Sequence, residues 1–445
     1  MVKHSTLSLT ALVCILYTGL FAQSKKIDTT LWAPGTRAMP SPLSSAPFPS
    51  GDWVGTYKIG ANNDPADWGL QKALGIANNK SRIKIYGWLN PSVNYSTSRD
   101  VNIPVSYSII PNAVHMSQAV LRFERQPNTI QTDHVDWGFR ISNVYGIDYR
   151  YTVARGYLSD GYFKENNLYG YDPVEVYALL YIPKVAQGMV LRIGRFISPV
   201  DIEAQLSPDN YLYTHSVMFS YDPYTETGVQ ATIMISPQLT VEVAAHTGND
   251  VAPWDTAAGL AGQAFVRYVS KDNNNSIWAG VNSLGQGVYK DGHDNMNHVA
   301  TVWGHRFNER YHMMTEMYYE WERDAALGGS ASYGQVRYGA GGGPGAIIPG
   351  TSGAFGFVNY FQIMTSKKNY ISIRNDYLDD INGWRTGYAA RYVSHTAGFV
   401  HQFTPWLMLR PEVRYDYNLA DGIIPYDLGK KSNQFTATMD MIVRF

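Results

Sequence analysis

From Arg82 to Phe445 apolar and polar side chains alternate with a period of two, and nothing else in the sequence limits the fold as strongly. Phe435, Ala437, Met439, Met441, Val443 and Phe445 share one face, against Thr436, Thr438, Asp440 and Arg444, with Ile442 the exception. Leu407, Leu409, Pro411, Val413, Tyr415 and Tyr417 repeat the pattern, as do Val135, Trp137, Phe139 and Ile141. Successive side chains of a strand point to opposite faces, so this alternation predicts strands with one apolar and one polar side. A soluble sandwich would alternate too, and the spacing of the strands separates the two cases. Candidate strands begin near Arg82, His115, His134, Val174, Gly188, Glu226, Leu239, Gln263, Ser276, Asn297, Tyr311, Ala354, Asn369, Arg391, Leu407 and Asn433. Short links such as 184–187, 236–238, 307–310 and 403–406 alternate with long ones such as 145–173, 199–225, 247–262 and 324–353. Tight turns on one rim and long loops on the other are the construction of a transmembrane barrel. The expected fold is therefore all-β: a transmembrane antiparallel β-barrel of about sixteen strands, with short periplasmic turns and long extracellular loops.

The N-terminus agrees with that destination. Lys3 lies just before an apolar run from Leu7 to Phe21, and Ala22 is a small residue suited to cleavage before Gln23. This order reads as a secretory signal over 1–22, too short for a convincing spanning helix. The single Cys, Cys14, falls inside it, so the mature chain carries no thiol. Residues 23–81 read as a periplasmic linker, rich in Pro and Ser from Ala33 to Gly51. Asp64-Pro65 and Leu70 to Gly75 predict a short helix within it, capped by Asp64 and ended by Gly75. The barrel itself is expected over 82–445.

Composition excludes other classes. The 36 basic and 37 acidic residues leave a formal charge of −1, no basis for a nucleic-acid partner. After Ala22 no apolar stretch reaches the ~20 residues of a membrane helix. A bilayer span would then need a closed barrel, because every backbone N–H and C=O must be paired in lipid. The 33 Tyr, apolar at one end and wet at the other, suit its two interfaces with outer-membrane lipid.

If the apolar face meets lipid, the charged residues of the strands point inward. A charge on the lipid side near mid-membrane costs ~2–4 kcal/mol. The expected pore-lining residues are Arg122, Glu124, Arg140, Arg192, Glu316, Arg374, Asp376, Arg410, Glu412, Arg414 and Asp416, with Asp136, Glu175, Glu242, Arg267 and Glu320 on the same side. They either set ion preference in a water-filled lumen or pair across strands and stiffen the wall; both roles can hold together. Mixed signs argue against a phosphate pore lined by Arg and Lys alone. The loop 199–225 is long and carries Asp201, Glu203 and Asp209 beside Tyr211, Tyr213, Phe219, Tyr221 and Tyr224. Loops of this length are usually functional or mobile. By analogy with general porins it would fold inward as a constriction loop; the alternative is a cap on the outer mouth.

Several stretches resemble the OmpL-like β-barrel porins of Gram-negative outer membranes. They are Leu191-Arg192-Ile193-Gly194-Arg195-Phe196, Leu409 to Asp416, Leu70 to Gly75 ahead of Ile85-Tyr86-Gly87-Trp88, and Arg374-Asn375-Asp376 leading to Gly383. Two residues before Glu203, where this resemblance leads one to expect Gly, the chain has Asp201. The resemblance implies a porin passing ions and small hydrophilic solutes. Homo-oligomerisation is compatible with it, since general porins are often trimers, but no interface is legible.

Enzyme signatures are missing. The 11 His include no His-Glu-x-x-His pair, no Gly-x-Ser-x-Gly elbow occurs, and Gly339 to Gly345 reads as a loop tip rather than a phosphate cradle. No cofactor, metal site or catalytic residue is expected. Residues 23–81 are too few for the folded plug of an energised transporter. The competing reading is a non-porin barrel acting as enzyme, adhesin or surface anchor.

Overall fold

In the computed structural model the described residues are 69–76 and 82–445, apart from 106, 130, 164–167, 200, 237, 273, 309, 330–344 and 367. The expected signal, most of the linker with Asp64 and Pro65, and the tip of the 324–350 loop lie outside them. Sixteen strands follow in chain order. They are β1 (Ile83–Ser96), β2 (Val114–Arg125), β3 (Asp136–Gly146), β4 (Gly170–Ile182), β5 (Met189–Ile197), β6 (Thr225–Met234), β7 (Leu239–Asn249) and β8 (Ala261–Val269). Then come β9 (Asn275–Leu284), β10 (Asn297–Arg306), β11 (Tyr311–Arg323), β12 (Thr351–Ser366), β13 (Asn369–Asp380), β14 (Arg391–Thr404), β15 (Leu407–Asn418) and β16 (Asn433–Arg444). Each pairs with its chain neighbours and β1 pairs with β16, so the sheet closes without an edge.

Closure is antiparallel, from Trp88↔Arg444 to Ser96↔Thr436. The last residue completes it: Gly87 donates to the Phe445 carbonyl at 3.1 Å and Phe445 donates back at 2.9 Å. Gly87 is needed there, because a Cβ would sit 2.0 Å from the Val120 carbonyl and 2.8 Å from the Phe445 ring.

Period two fixes which face each residue takes. Leu121, Ile141, Ile193, Val229, Val243, Val413 and Met439 are exposed on the outside, while Arg122, Arg140, Arg192, Gln230, Glu242, Arg414 and Asp440 are buried on the inside. Aromatic pairs mark both rims. Tyr415–Tyr417 and Tyr319–Trp321 stack, each at 5.7 Å between centroids, near the long-loop rim. Trp137–Phe139 and Tyr311–Phe361 stack at 6.2 Å on the opposite rim. Such belts hold amphipathic rings at the two membrane–water interfaces.

Two strands start three or more residues earlier than their sequence suggests. β4 begins at Gly170 rather than Val174, since Pro173 reads as a stop. Here it lies in a bulge, where the ladder passes from Ser142↔Glu175 to Val144↔Asp172, and a residue without N–H is tolerated. β12 begins at Thr351 rather than Ala354, because Ser352 and Gly353 pair with Glu322 and Trp321. Of the expected linker helix the described part is α1 (Gly69–Ala73), followed by Gly75, whose φ of 69° is the left-handed conformation of a helix stop. Gln71 of α1 is buried and donates to the Ile85 carbonyl at 2.7 Å.

Candidate functional site

The inner wall is polar because the outer wall must be apolar, and its charges come in two paired sets. On β2–β4, Arg122 meets Glu175 at 2.9 Å, and Arg140 meets Glu124 at 2.8 Å and Glu175 at 3.4 Å. Tyr86 completes the group by donating to Glu124 at 2.8 Å. Arg192 donates to Gln230 at 3.0 Å and stacks its guanidinium 4.3 Å from the Phe196 ring. Gln230 continues to Glu242 at 3.0 Å and Gln263 at 2.7 Å. On β13–β16, Arg374 lies 3.2 Å from Asp376, Arg414 lies 2.7 Å from Asp416 and Arg410 lies 2.5 Å from Asp440. The expected inward residues are all buried, and the arginines just named each meet an acid or amide of the wall.

The third long connection, 198–224 between β5 and β6, runs inside the barrel; it is called L3 below. Ile202, Leu206, Leu212, Val217, Met218 and Tyr221 are all buried in the largest apolar cluster of the interior. Two wall glycines make room for it. A Cβ on Gly398 would lie 2.4 Å from Leu212, and one on Gly356 would lie 2.9 Å from the Cβ of Met218.

Polar contacts tie L3 to wall strands far away in sequence. Glu203 accepts the Ser216 N–H at 2.9 Å within the loop, lies 3.1 Å from Arg374, and takes the Tyr360 hydroxyl. Glu412 accepts the N–H groups of Tyr213 at 2.9 Å and Thr214 at 3.2 Å. Asp376 accepts that of Val217 at 3.0 Å. Arg410 donates to the carbonyls of Ser207 at 2.9 Å and Asn210 at 2.8 Å, and Arg414 to that of His215. Just past β16, Gln118 of β2 donates to the Gln205 carbonyl at 2.6 Å and Ser207 donates to Asn90 of β1 at 2.7 Å. Arg374, Asp376, Arg410 and Arg414 thus each satisfy a partner on the wall and a backbone group of the loop, which a buried loop must have.

Of the three loop acids singled out in the sequence, Glu203 sits at the centre of this network. Asp201 is buried on the β11 side, beside Glu316, whose carboxylate accepts the Ile202 N–H at 2.8 Å. Asp209 closes the short turn Ser207–Asp209, and its side chain lies outside the described residues. Sequence reasoning missed Arg385, Asn90, Gln118 and Asp440 as members of the site. It noted the tyrosines of the loop without giving them a role. So many aromatics in one long loop were the available signal, because burial is what large apolar rings seek.

The arrangement offers fixed charges and dipoles. Among the described residues no three or more His, Cys, Asp or Glu side chains are grouped so as to hold a metal ion. A narrow polar conduit with mixed charges is what such a wall can provide.

Residues 82–445 match the model of the family described as "Putative beta-barrel porin-2, OmpL-like". The chain belongs to that family. The solved structures similar to this OmpL-like barrel include the anion-selective porin from Comamonas acidovorans. It is 9% identical, with a TM-score of 0.54, over 82% of this chain and 99% of that one. The channel DcaP of Acinetobacter baumannii (12% identical, TM-score 0.47, 82% and 97% covered) and OmpT of Vibrio cholerae (8%, 0.47, 82% and 97%) are also similar. The first of these likenesses supports the fold alone. Among curated protein sequences none matches. Family and fold together make this OmpL-like chain an outer-membrane barrel of the porin type.

Proposed function

We propose that this barrel is a passive, non-enzymatic pore for ions and small hydrophilic solutes, with L3 as its constriction loop. The observation that carries the reading is the inward course of L3 together with its ties to Arg374, Arg410, Glu412 and Arg414. A surface anchor or adhesin has no use for a loop packed inside its own barrel; a pore uses one to set its width. In this reading Arg122, Glu124, Arg140, Arg192, Glu316, Arg374, Asp376, Arg410, Glu412, Arg414 and Asp416 line the path, Asp201, Glu203 and Asp209 belong to its narrow part, and Glu203 supplies negative charge there. Wall charges of both signs lead to weak ion selectivity. The reading includes a cleaved signal over 1–22, a periplasmic segment over 23–81 bearing α1, and a homo-oligomer in the membrane.

The test is the reversal potential across a salt gradient in a planar bilayer. Asp201→Asn, Glu203→Gln and Asp209→Asn together should shift it toward anion preference, most at low salt where screening is weakest. Channels whose selectivity ignores all three changes would place L3 outside the conducting path.

A further inference from the structure

L3 meets the wall with different chemistry on its two sides. Toward β13–β15 its carbonyls and acids meet Arg374, Arg410 and Arg414. Toward β11 it presents acids to acids. Asp201 and Asp222 of L3 are buried and surrounded by Glu316 and Glu320 of β11 and by Glu203 of the loop itself. The Glu316 carboxylate accepts the N–H of Ile202, the residue after Asp201, at 2.8 Å, which sets the Asp201 and Glu316 carboxyls side by side. Both oxygens of Asp222 lack a donor.

Compensating cations are scarce there. Arg385, in the β13–β14 loop, lies 3.0 Å from Glu320 and is also claimed by Asp294 and by the Tyr221 carbonyl. Arg374 on β13 is shared by Glu203 and Asp376. Tyr318 on β11, Tyr360 on β12 and Asp380 at the end of β13 also face these acids, and none of the three is cationic. His298 of β10 stands 4.9 Å from the Tyr318 ring. No metal-holding group exists among the described residues. Like charges sharing a site do not both ionise, so one of the Asp201 and Glu316 carboxyls keeps a proton. Burial first, and then Glu316, pushes the Asp201 carboxyl well above the ordinary carboxylate range.

We propose that the Asp201–Glu316 pair is a proton latch: it seats L3 against β11 while it shares a proton, and frees that side of the loop when the proton leaves. Its consequence for conductance rests on the reading of L3 as the constriction; the movement itself does not. The seated form binds more protons than the released form. Raising pH above the ordinary carboxylate range therefore favours release, by up to tenfold per pH unit for each proton lost.

Met218 reports the seat, since it is fully buried and the Tyr318 hydroxyl donates to its carbonyl at 2.9 Å. With Cys14→Ser removing the natural thiol, Met218→Cys is modified by a neutral maleimide in refolded, heat-modifiable barrels. The rate is compared between the acid pair and Asp201→Asn/Glu316→Gln, whose amides stay neutral. Both backgrounds carry the same thiol, so its own titration cancels in the ratio. The latch predicts a ratio near one at pH 5 that rises at least tenfold by pH 9, with conductance of the acid pair rising alongside. Asp201→Asn alone, which donates to an ionised Glu316 without needing the proton, should also flatten the rise and serves if the double variant folds poorly. A ratio within twofold over the whole range overturns the latch. Labelling needs no ion flow, so a rising ratio without channels would remove the pore reading and leave the latch standing.

Discussion

Arg374 joins wall to loop with one guanidinium: it reaches Glu203 at 3.1 Å and the Thr214 hydroxyl at 3.2 Å on L3, and Thr396 at 3.0 Å on β14. Removing one partner of a buried ion pair strands the other, a cost of ~3–5 kcal/mol. Arg374→Met should therefore lower the thermal midpoint and loosen L3, and adding Glu203→Gln should cost much less than the sum of the two changes. Full additivity in that double-mutant cycle would mean the pair is not coupled. At Gly398 the argument is one of volume, since any side chain must displace Leu212. Gly398→Leu should push L3 off β14 at a cost of ~1–3 kcal/mol, seen as larger conductance steps. That Arg374 points inward was legible from its place in an alternating strand. Its partner was not, because Glu203 lies 171 residues away and nothing local announces the contact.

Strands write their facing into the sequence at every second residue, which is why β10, β11 and β13–β16 start where the alternation places them. Loops have no such period. The inward course of L3 depends on backbone groups finding Glu412, Asp376 and Arg410 on strands formed much later in the chain, so analogy could suggest it but the pattern could not prove it. Another loop contact has a pH dependence of its own. Asp427, in the β15–β16 loop, accepts the N–H groups of Asp100 at 2.7 Å, Arg99 at 3.1 Å and Val101 at 3.3 Å from the β1–β2 loop. Burial alone would raise this carboxyl, but those three donors hold it below its ordinary value. A depressed carboxylate stabilises the contact at neutral pH, and that contribution is lost as pH falls through the ordinary range toward the lowered value. Amide exchange at 99–101, corrected for intrinsic rates, should quicken on acidification, and Asp427→Asn should be fast throughout. Equal protection at pH 3 and pH 7 would remove Asp427 from this role.

At the scale of the molecule, closure and occlusion are separate achievements. Closure depends on the final residue, whose backbone bonds Gly87 in both directions. Deleting Phe445 should impair insertion, because the first and last strands then meet with an unpaired end in lipid. Normal yields of heat-modifiable barrel from that deletion would contradict it. Occlusion is the proposed part: L3 narrows the pore. Single-channel recording in a planar bilayer, comparing the intact chain with one in which residues 202–222 are replaced by a short Gly-Ser linker, tests it most directly. Discrete steps are expected for the intact barrel and distinctly larger ones for the shortened loop. Equal steps from both, or none from either correctly folded barrel, would contradict it.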